Sequence, residues 1–80
     1  MLILGVDIAK LNHVASLVDS NSNEIIFSNF KFQNNFNGFS SLKLELEKFN
    51  IDEVFILLES TGHYGENFTA FFHNLGFKLG

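Results

Sequence analysis

From Leu2 to Ile8 the chain is almost continuously apolar, interrupted only by Gly5 and Asp7. A run this short and this apolar predicts a buried strand. His13 to Asp19 predicts a second strand, with "KLNH" as a tight connection between the two. "DSNSNE" then predicts a turn, because Asp, Ser and Asn side chains compete for backbone hydrogen bonds and tolerate left-handed geometry. Glu24 to Phe32 predicts a third strand, with Ile25, Phe27 and Asn29 on one face and Ile26, Ser28 and Phe30 on the other. Three strands joined by short turns predict an antiparallel meander.

"QNNFNGF" breaks the alternation. Beyond it Phe39, Leu42, Leu46 and Phe49 follow one stripe of a helix, with Asn37 as its expected N-cap. Val54 to Leu58 is an apolar run too short for a buried helix, so it predicts a central strand, closed by Glu59. Tyr64, Phe68, Phe71, Phe72 and Leu75 mark a second amphipathic helix, capped by Ser60 or Thr61 and stopped at Gly76. Phe77 to Leu79 opens a further strand. The expected order is β-β-β-α-β-α-(β), an α/β mixed sheet with helices packed on it. Residues 1–80 read as the amino-terminal part of a single domain whose remaining elements would cover surplus apolar surface.

Composition sharpens that reading. Apolar residues make up 46% of the 80 and charged residues 18%, with eleven phenylalanines. A domain of this size hides only about 60% of its unfolded surface, so this much aromatic material implies cover from more polypeptide or from a partner. The net charge is −4, with five cationic and nine acidic residues. That balance excludes the basic stripe of an autonomous nucleic-acid binder; a nucleic-acid role here would be chemical rather than adhesive. Cysteine is absent, which rules out a thiolate site or a disulfide framework. No basic leader with a long apolar stretch opens the sequence, and no run approaches the length of a bilayer crossing. The expectation is a soluble, cytoplasmic protein without a membrane partner.

Two carboxylates stand out. Asp7 interrupts the first strand, with Gly5 on the same face, and Glu59 ends the fourth. A hairpin keeps the first strand interior, and a crossover can bring the fourth alongside it. Two acids at neighbouring strand ends repel one another, and a divalent cation resolves the conflict; oxygen ligands of this kind suit Mg2+ or Mn2+. Ions held there can assist attack and departure at a phosphodiester. The plainer reading is an Asp bonded to backbone amides and a solvated Glu. Lys10 at the exit of the first strand could neutralise the pair or touch a phosphate, or simply face solvent. Ser60 and Thr61 could offer hydroxyls and free N–H groups to a phosphate oxygen, or only cap the helix. His63 is a candidate substrate contact in a loop, and Tyr64 is either a core anchor or a stacking surface, its place heading the apolar stripe favouring packing. His13, which could face Asp7 across the hairpin, is expected to be structural, and His73 lies on the polar side of its helix.

"GVDIAKLNH", "NNFNGFSSL" and "ESTGHYGENFTAFFHNLGF", in that order and spacing, resemble the amino-terminal part of the insertion-sequence-110 family of transposases, the DEDD transposases. The resemblance runs through nearly the whole chain. It implies a ribonuclease-H-like, RuvC-like fold with an acidic tetrad whose first aspartate falls on Asp7 and whose glutamate falls on Glu59. The other two aspartates, and the serine nucleophile of a separate carboxy-terminal domain, have no counterpart among these 80 residues. It further implies DNA as partner, a guide or bridge RNA in some members, homo-oligomers, and metal-dependent strand cleavage and exchange in the full-length parent, with the isolated 80 residues inactive. Two alternatives stand beside it. An actin-like or sugar-kinase nucleotide-binding domain shares the element order, but its phosphate-binding hairpin is glycine-rich, and "AKLNH" has no glycine. The other is a non-catalytic fragment acting only in assembly.

Overall fold

The computed structural model describes residues 1–59 and 63–80. Strands β1 (Leu2–Asp7), β2 (Asn12–Asp19) and β3 (Ile25–Gln33) form the meander, followed by helix α1 (Phe36–Leu46) and a single 3-10 turn at Ile51–Glu53. Strand β4 (Val54–Glu59), helix α2 (Glu66–Asn74) and the short strand β5 (Lys78–Leu79) complete the order. One sheet contains all five strands, in the spatial order β3-β2-β1-β4-β5. The β1–β2 and β2–β3 pairs are antiparallel. The β1–β4 and β4–β5 pairs are parallel. The expected mixed α/β sheet is present, and its boundaries fall within a residue or two of those read from the sequence.

Alternation along β1 divides the sheet into two unlike faces. Leu2, Leu4, Val6 and Ile8 are buried, together with Ala15 and Leu17 of β2 and Val54 and Ile56 of β4. On that side the two helices add Phe39, Leu42 and Leu46 from α1 and Phe68 and Phe72 from α2, making one core. Two parallel crossovers running the same way place both helices on the same side, since such connections are right-handed. The opposite face carries Ile3, Gly5 and Asp7 of β1 and Phe55, Leu57 and Glu59 of β4, all partly or fully exposed.

Both helices are bounded by identifiable chemistry. Asn35, in extended backbone, caps α1, its side chain accepting a hydrogen bond from the Gly38 N–H at 2.8 Å. The cap is therefore two residues earlier than Asn37, because an oxygen at the cap must reach the third helical amide. Phe49 lies past the end of α1 yet still packs on the core. Helix α2 ends as expected at Gly76, which has φ +99°. The Gly76 N–H bonds the His73 carbonyl and the Phe77 N–H reaches the Phe72 carbonyl. This is a Schellman closure, completed by Phe72 and Phe77 ring contact at 5.5 Å. Tyr64 departs from expectation: it precedes the helix and is 39% exposed, so it does not anchor the core. The expected caps Ser60 and Thr61 lie outside the described residues; the helix instead starts after Gly65, with no side-chain cap.

Strand β3 also departs from simple alternation. Its pairing with β2 shifts twice, between Ala15 and Leu17 and between Leu17 and Val18. Asn29 takes φ 56°, and its N–H bonds the Ser16 hydroxyl at 3.3 Å. A bulge inserts a residue and resets side-chain parity. Phe27 and Phe30, expected on opposite faces, consequently both pack on the core.

Gly38 tests the packing of α1 on the meander. A Cβ there would run into the Gln33 backbone, carbonyl oxygen first. In an open helix Gly→Ala gains about 1 kcal/mol. Gly38→Ala is predicted to reverse that sign and lower the unfolding free energy, as measured by urea denaturation, because a backbone carbonyl cannot swing aside like a flexible side chain.

Candidate functional site

Asp7 and Glu59 are register partners in the parallel β1–β4 pair. In a parallel pair residues at equal register point to the same side, and neighbouring strands lie about 4.8 Å apart. The two acids thus stand side by side at the carboxyl ends of adjacent central strands, on the face the helices do not cover. Both are exposed. The Ile8 N–H bonds the Glu59 carbonyl at 3.3 Å, carrying the pairing one residue beyond the acids.

The surroundings form a shallow depression of about 310 Å3 lined by Gly5, Val6, Asp7, Val14, Ser16, Asn29 and Glu59. Among the described residues nothing lies within 4 Å of where a Gly5 Cβ would be, so the floor beside Asp7 is open on that side. Ser16 is the register partner of Gly5, and Val14 that of Asp7. Lys31 in turn pairs with Val14, placing a cation two strands from Asp7 in the same row. A larger cleft of about 500 Å3 runs along α2 past Leu58, Glu66, Thr69 and His73. It contains neither Asp7 nor Glu59, and its size does not outweigh the converging acids elsewhere.

Among the described residues, the sole ion pair joins Lys48 to Glu45 on α1's side of the chain, so neither acid has a cationic side chain against it. Nor does a third His, Cys, Asp or Glu join them in a metal-sized cluster. Two carboxylates with open space beside them fit a hydrated Mg2+ or Mn2+, which keeps several waters and takes one or two protein carboxylates.

The other expected contacts are distributed unevenly. Lys10 is exposed in the β1–β2 turn. His63 and Tyr64 lie exposed in the turn before α2, with ring centroids 5.1 Å apart. Ser60 and Thr61 fall outside the described residues. His13 does not face Asp7: it lies on the helix side, fully buried, ringed by Phe32, Phe39 and Phe68. The structural role expected for it holds, and the facing does not, because odd positions of β2 point to the core. Ser16 and Asn29 were missed. The only signal for them is that small polar residues interrupt otherwise apolar strands.

A five-stranded mixed sheet of order β3-β2-β1-β4-β5, two helices on one face and an acid at the end of each central parallel strand constitute a ribonuclease-H-like fold. The chain belongs to the DEDD transposase family of the insertion-sequence-110 type, whose family model, described as a transposase, matches residues 4–80. Comparison with curated proteins gives no match. Membership supports a transposase role in general and does not favour the nucleotide-binding alternative. No described helix is long and apolar enough to cross a membrane.

Burial holds the His13 pKa below its ordinary value of 6.5, against smaller opposing effects of the Asn34 side chain, the Asn12 backbone and the Asp7 charge. The sign follows directly. Above pH 6.5 folded and unfolded chains are both neutral at this ring, and its contribution is complete. Below it the unfolded chain takes up a proton that the folded chain does not, so stability falls until the lowered folded value is passed. Thermal unfolding scans from pH 7.5 to 5 are predicted to show this decline in the wild type and a flatter profile in His13→Leu.

Proposed function

We propose that Asp7 and Glu59 are the first two ligands of a divalent-metal centre that cleaves and exchanges DNA strands in a transposase. The observation that supports this best is their in-register pairing across β1 and β4. The metal, Mg2+ or Mn2+, would supply the positive charge that activates an attacking oxygen and stabilises a leaving one. Asp7 and Glu59 would hold it through their carboxylate oxygens, and the open floor at Gly5 leaves room for a phosphate beside them. Lys10, His63 and Tyr64 flank the same sheet end as exposed side chains able to touch the nucleic acid, with Ser60 and Thr61 proposed for the same role. The domain is proposed to be the amino-terminal part of a larger ribonuclease-H-like unit that works as a homo-oligomer in the cytoplasm, on DNA and with an RNA guide. The further acids of the tetrad come from outside these 80 residues, so this chain alone is proposed to bind metal weakly and not to cut.

Titration calorimetry with Mn2+ tests the reading. Asp7→Asn and Glu59→Gln are each predicted to raise the dissociation constant by at least about tenfold, or roughly 1.4 kcal/mol. Both acids are exposed, so thermal stability should stay close to that of the wild type. Equal Mn2+ affinity in wild type and both variants would refute the metal centre.

A further inference from the structure

Among the described residues, two buried side-chain polar atoms have no hydrogen-bond partner: His13 Nε2 and Asn34 Oδ1. Such atoms are costly to leave unpaired, and these two are complementary. His13 Nδ1 accepts a hydrogen bond from the Ala9 N–H at 3.2 Å. That bond fixes the neutral tautomer with its proton on Nε2, a donor. Asn34 Oδ1 is an acceptor. The other end of the same amide is already engaged: Nδ2 donates to the Lys10 carbonyl at 3.1 Å and to the Tyr64 carbonyl at 3.3 Å.

The places these bonds reach give them meaning. Ala9 and Lys10 belong to the segment that leaves β1 directly after Asp7. Tyr64 belongs to the segment between Glu59 and α2. One side chain therefore joins the segment that follows Asp7 to the turn that lies between Glu59 and α2. We propose that Asn34 is a positioning residue for the carboxylate pair, its amide nitrogen tying the segment after Asp7 to the turn before α2. The proposal rests on the metal-site reading for its consequence, but not for its geometry. Asn34 touches no reacting atom. Its backbone N–H separately bonds the Leu11 carbonyl at 2.9 Å, so a side-chain substitution leaves that link intact.

The test compares Asn34→Ala with Ser20→Ala. Ser20 also donates a side-chain hydrogen bond to a backbone carbonyl, that of Met1 at 2.7 Å, but at the far end of β1. Three quantities are measured on the 80-residue chain: melting temperature, Mn2+ affinity by calorimetry, and amide hydrogen exchange at Ala9 and Glu66. Ala9 bonds His13, and the Glu66 N–H bonds the His63 carbonyl in the turn that holds Tyr64. Both variants should melt a few degrees lower. Only Asn34→Ala should weaken Mn2+ binding, by about tenfold, the lower end of what outer-sphere partners contribute. It alone should speed exchange at Ala9 and Glu66, again about tenfold.

Should Asn34→Ala not fold, Asn34→Ser, polar but too short to bridge, takes its place with the same expectations. Wild-type Mn2+ affinity in the Asn34 variant, or equal weakening in Ser20→Ala, overturns the positioning role and leaves an ordinary stabilising bond. Asp7→Asn, run alongside, separates the two ideas. If that variant binds Mn2+ as tightly as wild type, the metal reading has failed independently. Exchange then decides: faster exchange at Ala9 and Glu66 upholds the tie between the exits, and unchanged protection overturns it.

Discussion

The parallel pairing of β1 with β4 is the constraint on which the site depends. Side chains alternate with a period of two, so a one-residue slip would send Glu59 to the helix side while Asp7 stayed outside. Nothing in the acids themselves prevents that slip, since like charges gain nothing by adjacency. The lock lies in their neighbours. Leu2 pairs with Val54 and Leu4 with Ile56, all four buried. A slip would expose Val54 and Ile56 and bury Phe55 and Leu57 in a space shaped for others. At about 25 cal/mol per Å2 of apolar surface, the displaced side chains outweigh the mild repulsion of two solvated carboxylates on neighbouring strands. The core fixes the register, and the register brings the acids together.

The two faces divide the work. On the helix side Phe68 sits among His13, Phe32, Phe39 and Phe72, with ring centroids 4.6–5.9 Å apart in edge and tilted contacts. Such contacts add stabilisation beyond simple area and rigidify the floor under β1 and β2. The other face keeps short or missing side chains next to the acids, at Gly5 and Ser16, and apolar ones farther off, such as Ile3, Val18 and Phe55. A solid underside and an accessible upper side are what a preorganised site requires.

Much of this was legible in the chain. The strands and helices followed from apolar runs and stripes, and the two acids were visible because each breaks or ends such a run. Their adjacency followed from topology: a hairpin leaves β1 interior, and a crossover strand fills its free edge. Less legible were features set by single backbone torsions. Asn29 in a left-handed conformation shifts the parity of β3, and a one-letter reading of alternation cannot see it. Asn37 in "NNFNGF" is the expected cap, and tertiary geometry selects Asn35 instead. Asn34 reads as a linker residue, because its partners, Lys10 and Tyr64, lie 24 and 30 positions away.

The chain's acidity bears on how such a site would meet DNA. At 4 Å in water a unit charge repels another by about 1 kcal/mol, and more as solvent is displaced. A phosphate approaching Asp7 and Glu59 meets two negative charges and, within their row, one cation, at Lys31 two strands away. On the proposed reading a divalent ion brings the local charge of the two acids from −2 to zero, removing the barrier just where the phosphate must come closest. Metal and nucleic acid then favour one another's binding, and by linkage the enhancement is the same from either side. On that reading a domain of net charge −4 would hold DNA poorly without metal and better with it.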